Sequence, residues 1–271
     1  MHWLSTRFPL LALLACACLA GGCAHGPDPR DPYEPFNRKV YSFNEGVDKA
    51  VLKPVAKGYV AVVPQFARRG VTNFFNNIGV IVTTFNDALQ GKGTKVPVDF
   101  ARFTTNVFFG LGGLIDVASE LQIENRNEDF GQTMGYWGAE SGPYLVLPFF
   151  GPSTVRDGAG LAVDFVVSPF FYVADDEAQV RWGLFALDVI DTRANLLQAE
   201  KFLDTASIDR YSFLRDSYLQ RREYLIYDGN PPSQTTGNQQ KSLKELEEED
   251  MRDDDPIPLR AAPPGPKLHR P

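Results

Sequence analysis

Apolar residues recur at helical spacing through most of the chain. Phe36, Val40, Phe43, Val47 and Val51 fall on one face of a helix that opens within residues 31–38, where Asp31 and Glu34 suit the positive end of the helix dipole. Pro54 is expected to end it, and residues 55–63 form a second helix closed by Pro64. A longer helix is predicted over Gln65–Leu89, with Val71, Phe74, Phe75, Ile78, Val82, Phe85 and Leu89 in a wide apolar stripe. Its other side carries Asn73, Asn76, Asn77, Thr83 and Asn86, uncharged polar groups where a water-facing helix more often shows Lys and Glu. Residues 97–109 continue the pattern, with Phe100, Phe103 and Val107 set against Arg102, Thr105 and Asn106.

The glycines of Gly110-Leu111-Gly112-Gly113 break the periodicity, favouring left-handed dihedrals and close backbone approach, and residues 116–121 make a short helix. Residues 125–151 read as a long loop or hairpin of Gly, Pro and aromatics with a brief strand over Tyr144–Leu147. A loop so apolar needs protein or lipid to cover it. Pro152-Ser153 is expected to cap a helix through Val167, with Ser153 as N-cap, and Pro169 to end it before the apolar link of residues 170–173. A long helix follows over residues 176–203, and Asp209 caps a last one to about Tyr227. No apolar run after Cys23 is long enough to span a bilayer as a helix.

Ahead of this body, positive charge at the amino terminus and Arg7 precede a short apolar run over residues 8–19, the pattern of a signal peptide. Leu19-Ala20-Gly21-Gly22-Cys23-Ala24 then resembles the lipobox of bacterial lipoproteins, which implies cleavage before Cys23 and acylation of its thiol and amine. Cys16 or Cys18 as the lipidated residue, or plain cleavage after Gly22, are the alternatives. By the same resemblance, Ala24 in place of Asp favours sorting to the outer membrane.

Composition then removes whole classes of chemistry. The three cysteines all lie in residues 16–23, and no histidine occurs between His25 and His269. The body therefore builds no disulfide, no Cys or His metal site and no Ser-His or Cys-His nucleophilic pair. A net charge of −7 argues against nucleic-acid binding. The boundaries expected are a signal peptide over 1–22, a lipidated tether over 23–30, a helical domain over 31–228 and a disordered acidic, Pro-rich tail over 229–271.

Asp31-Pro32-x-Glu34-x-Phe36-Asn37-Arg38, Tyr41-x-Phe43-Asn44, Val63-Pro64-Gln65-x-x-Arg68, Gly110-x-Gly112-Gly113-x-x-Asp116-Val117-Ala118, Phe130-Gly131, Gly142-Pro143-Tyr144 and Leu147-Pro148-Phe149-x-Gly151 follow one another in order, with Arg156-Asp157 and Thr192-Arg193-Ala194 behind them. This succession resembles the MlaA family, also called VacJ lipoproteins, over roughly residues 31–227. The resemblance implies an all-α ring of amphipathic helices lying in one membrane leaflet. It also implies a lipid-anchored protein on the periplasmic face of the outer membrane of a Gram-negative bacterium, clamped beside a trimeric porin. Such a protein draws misplaced phospholipid from the outer leaflet through an amphipathic channel and passes it to a periplasmic carrier, without a cofactor or catalysis.

This chain has no Gly-rich phosphate loop with Lys and Ser/Thr, so energy input would come from elsewhere. Phe36, Asn37, Tyr41, Phe43 and Asn44 of the leading motif, with Gly112, Gly113, Gly138 and Gly142, are the candidates for channel or gate, and ordinary packing is the competing role for each. Glu140 stands in the bend where another glycine is expected. Two other functions fit the residues: an anchored envelope scaffold with no lipid passage, and a lipid-modifying enzyme using Asp116 or Asp157 near Arg156.

Overall fold

The computed structural model describes residues 26–169, 172, 178–206 and 209–232, with only the backbone of 201–206. Cys23, the start of the tether, most of the 170–173 link and the tail beyond residue 232 lie outside the described residues. Contacts divide the chain after Gly229, and all that follows concerns the first unit.

Helix α1, Glu34–Val47, passes through a single π turn, Asp48–Leu52, into α2, Lys53–Val62, without a break. Pro54 therefore does not end the first helix. Proline lacks an N–H and its ring collides with the carbonyl four residues back. Here the wider turn makes room for it, and the Lys53 N–H reaches the Asp48 carbonyl five residues earlier. Pro64 does separate α2 from α3, Gln65–Leu89, which has the predicted bounds. After α4, Val96–Phe108, the glycine stretch turns sharply: the Gly112 N–H donates to the Val107 carbonyl and the Gly113 N–H to that of Asn106. Gly113 has φ +92°, and a Cβ there would lie 2.9 Å from the Asn77 amide nitrogen. Asp116 caps the one-turn α5, Val117–Glu120.

The supposed loop over 125–151 holds more structure than its composition suggests. Asp129 caps α6, Phe130–Tyr136, by accepting from the Gln132 N–H at 2.9 Å. β1, Tyr144–Leu147, is the predicted strand, and it pairs antiparallel with β2, Gly151–Thr154, in the register Tyr144↔Thr154 to Leu147↔Gly151. Ser153 is thus a strand residue rather than the N-cap of α7, Val155–Val167. Thr154 caps α7, accepting from the Asp157 N–H at 3.1 Å. Pro152 is tolerated because a two-stranded hairpin consists of edges, where a missing N–H need not break a ladder. α8, Ala178–Ala206, and α9, Arg210–Ile226, complete the predominantly helical architecture, and Asp209 caps α9 as expected.

α3 is the hub, touching α4, α6 and α8, while α2 packs along α8. α6 and α7 approach closely at Gly131 and Gly160, where a Cβ on Gly160 would lie 2.4 Å from the Gly131 nitrogen. The hairpin rests on α1, α7 and α9 around Tyr144, Val146 and Tyr211. Asp28 and Arg30, in the segment expected to act as a tether, are ion-paired with Arg215 and Asp216 of α9.

Candidate functional site

Among the described residues, buried polar side chains outnumber buried apolar ones by more than two to one, while Phe66, Phe100, Phe108, Phe109, Leu111 and Phe149 lie largely in the open. The helical stripes seen in the sequence thus point outward as much as inward. An aqueous globule reverses this arrangement, because burying polar groups costs free energy unless they are paired and burying apolar area returns it.

The pairing is extensive. Asn86 donates to Asp164 at 3.2 Å and accepts from Thr133 at 2.8 Å, and Gln90 donates to both Glu128 and Thr133 at 3.1 Å. Asp164 also accepts from the Phe130 N–H at 3.0 Å; burial pushes its carboxyl up to about 6 against those hydrogen bonds. Arg222 bridges Asp129 and Asp157, and Tyr218 donates to Asp157 at 2.8 Å. Burial opposes ionisation of both carboxylates, yet Arg222 holds them below the usual range. Asp116 likewise stays low, burial being overcome by hydrogen bonds from Ser119 and Asn106 and by Arg102 at 2.7 Å. Asp116 and Asp157, the pair open to an enzymatic reading, are therefore ion-paired struts joining α4 to α5 and α6 to α7 and α9.

Beside these networks is a partly open cavity of about 1030 Å³. Phe75, Phe149, Phe150, Phe165, Trp182 and Phe185 give it aromatic walls from α3, the hairpin turn, α7 and α8. Asn76 and Thr83 of α3, with Asn125, Arg126 and Asn127 from the segment before α6, supply polar atoms. Arg181 and Asp188 of α8 add charge, and burial with Asp191 nearby raises the Asp188 carboxyl.

None of the candidates read from the sequence is among the lining residues. Asn37 is fully buried: its amide nitrogen donates to Asp31 at 2.8 Å and to the Tyr144 carbonyl at 3.0 Å, and its oxygen accepts from the Val146 N–H at 2.9 Å. Two helical turns on, Asn44 donates to the Leu147 carbonyl at 2.9 Å and accepts from the Phe149 N–H at 2.8 Å. The two amides clamp the hairpin whose turn places Phe149 and Phe150 on the cavity. Phe43 stacks edge-on against Phe149 at 5.4 Å, Tyr41 against Tyr211 at 5.8 Å, and Phe36 is exposed. Gly138 and Gly142 have φ +91° and +65°, Gly142 lying against Val155, while Gly112 is unobstructed at φ +72°. Arg126 and the α8 residues were missed by sequence reading, the former because it lies in a segment without periodicity.

A family model described as MlaA lipoprotein matches residues 29–225. The chain belongs to the MlaA lipoprotein family. Relatives from Shigella flexneri and Escherichia coli K12, both named intermembrane phospholipid transport system lipoprotein MlaA, are 35% identical over 252 residues, covering 90% of this chain and 99% of theirs. An uncharacterized protein of Rickettsia typhi is 32% identical over 197 residues, 72% of this chain and 78% of its own. A solved structure described as the structural basis for maintenance of bacterial outer membrane lipid asymmetry superposes with a TM-score of 0.63 at 34% identity, covering 72% of this chain and 98% of that one. That match spans the whole motif succession beginning at Asp31, and the helical class the resemblance implied is the class observed.

Proposed function

We propose that this chain is an envelope lipoprotein that removes phospholipid from the outer leaflet of the outer membrane and passes it to a periplasmic carrier. The names of its MlaA relatives, intermembrane phospholipid transport system lipoproteins, support the transport role. The observation that carries the mechanism is the cavity of about 1030 Å³, which pairs aromatic walls with an amide- and guanidinium-bearing side inside a body that exposes many large aromatic and aliphatic side chains. That volume is at the top of the roughly 300–1,000 Å³ typical of small-molecule sites. A phospholipid has two unlike halves, and a charged headgroup crossing hydrocarbon loses its water at high cost. A lane offering Asn76, Asn125, Arg126 and Asn127 to the headgroup, and Phe75, Phe165 and Phe185 to the tails, lowers that barrier. Passage is then passive, and the carrier sets direction by withdrawing lipid.

In this reading Cys23 carries the acyl anchor, the helices form a ring lying in the inner leaflet, and a trimeric porin steadies it. Asn37 and Asn44 hold the hairpin against the lane, while Gly112, Gly113, Gly138 and Gly142 let its borders bend. The test is surface-exposed phospholipid in cells lacking the gene and in cells carrying Cys23→Ser. Both are expected to show more than wild type. A wild-type level in the deletion strain would remove the transport reading and leave an envelope scaffold.

A further inference from the structure

Arg126 is bound in a way that packing alone leaves incomplete. Its Nη2 lies 2.8 Å from an Asp87 oxygen and 2.7 Å from one of Asp99, and its side chain is nine-tenths buried. Nε and Nη1 are buried without a hydrogen-bond partner; the Glu124 carboxylate, 3.8 Å from Nε, is too distant to serve. Guanidinium offers five N–H donors in a planar fork that matches two oxygens of a phosphate, and leaving such donors unmet is unfavourable. Arg126 stands on the cavity lining between Asn125 and Asn127, which offer neutral hydrogen bonds beside it.

We infer that Arg126 is the group that engages the phosphodiester of a diacyl phospholipid in this cavity, with Asp87 and Asp99 as the counterions that hold the guanidinium until the lipid arrives. The inference rests on the lipid-transport reading above and assigns the recognition to one side chain.

The charge balance gives it a pH signature. With both carboxylates ionised, the Asp87, Asp99 and Arg126 set is net negative and repels phosphate; one proton makes it neutral. Burial and a hydrogen bond with Asp87 push Asp99 up to about 7, so that proton is exchanged near neutrality. The surrounding charges are Lys95 paired with Glu124, and Lys92 lying between Glu128 and Asp228. Arg181 and Asp188 of α8 share the lining. Burial raises Glu128 and Asp188 too, so they take up protons in the same direction, and the Asp99 contribution must be isolated by substitution.

The experiment titrates the full-length acylated protein in detergent micelles with dioctanoylphosphatidylglycerol, dioctanoylglycerol and inorganic phosphate at pH 6 and pH 8, read by calorimetry. The wild type is expected to bind the phosphate-bearing lipid at least about tenfold more tightly than dioctanoylglycerol at pH 6. That affinity falls about tenfold by pH 8, as a binding-competent protonated fraction centred near pH 7 requires. Asp99→Asn keeps the pH 6 affinity at pH 8. Arg126→Gln combined with Asp99→Asn, which removes the cation together with one carboxylate, brings the two lipids to within about twofold of each other.

A double variant that keeps the preference overturns the assignment, as does an Asp99→Asn protein with undiminished pH dependence. The single variant decides the matter if the double one does not fold. Displacement of the lipid by inorganic phosphate at equal concentration would make this a free-anion site and overturn the headgroup assignment. A wild type that binds both lipids equally leaves transport standing and removes Arg126 from it, whereas one that binds neither removes both.

Discussion

Asn37 shows how much of the architecture depends on single amides. Its side chain has no exposure and holds three partners, one from the entry to α1 and two from β1. Asn37→Ala leaves the Val146 N–H and the Tyr144 carbonyl buried without that partner, and each such loss costs about 1–3 kcal/mol. A drop of about 3 kcal/mol in unfolding free energy is expected by denaturant titration in detergent. Asn44→Ala, where the same kind of clamp is only half buried, is expected to cost about 1 kcal/mol. The sequence singled out both residues through the leading motif, and their seven-residue spacing places them on one helix face. Their partners lie more than 100 residues away in the hairpin, a pairing that no local pattern encodes. Arg126 was less legible still, because its meaning comes from Asp87 and Asp99 on two helices that meet only after folding.

At the scale of elements, periodicity located most helices closely, and α3 was read to its exact bounds. The errors came where one residue type has two uses. Pro54 reads as a terminator because an interior proline usually is one, and a single widened turn overrides that rule. Helix α6 was hidden inside a Gly- and aromatic-rich stretch, although the Asp-x-x-Gln signature of Asp129 to Gln132 was there to mark its start. The union of α2 with α8 yields a test in acid. Glu200 meets Lys53 at 2.8 Å and Arg193 at 2.7 Å, and Arg193 also holds Asp48 in the π turn. Burial opposes ionisation of Glu200, yet those cations hold its carboxyl down to about 2. A depressed carboxylate contributes stability that is fully present above its unfolded value near 4.5 and is lost as pH falls toward 2. Thermal unfolding of wild type and Glu200→Gln should therefore differ most at pH 6 and converge as pH approaches 2. A difference that stays constant across that range would show that the ion pairs do not stabilise the union.

For the whole molecule, the legible part was the fold class and the oddity of helices whose polar faces are amide and hydroxyl rather than charge. The illegible part was which face lies inside. The structure buries Asn77, Thr83, Asn86 and Arg102, and leaves Phe66, Phe100 and Phe108 exposed. Among the described residues no helix is long and apolar enough to cross a membrane, and the exposed phenylalanines suit the placement proposed above, with helices lying within one leaflet. Cys23→Ser protein, which on the proposed reading lacks the acyl anchor, is expected to float with phospholipid vesicles in a density gradient and to aggregate when detergent is withdrawn. Recovery of a monodisperse, vesicle-free fraction in plain buffer would contradict the leaflet placement.

The π turn between α1 and α2 takes up one residue more than a regular helix would. Were Asp48–Leu52 to relax to a regular helix with every residue kept, everything beyond it would swing by about 100° about the helix axis. Lys53 would then face away from Glu200, Tyr59 away from Asp191, and the Pro54 ring would press on a carbonyl it now clears. The segment is a phase setter: the widened turn, by absorbing that residue, keeps half a rod on the right side of its neighbour.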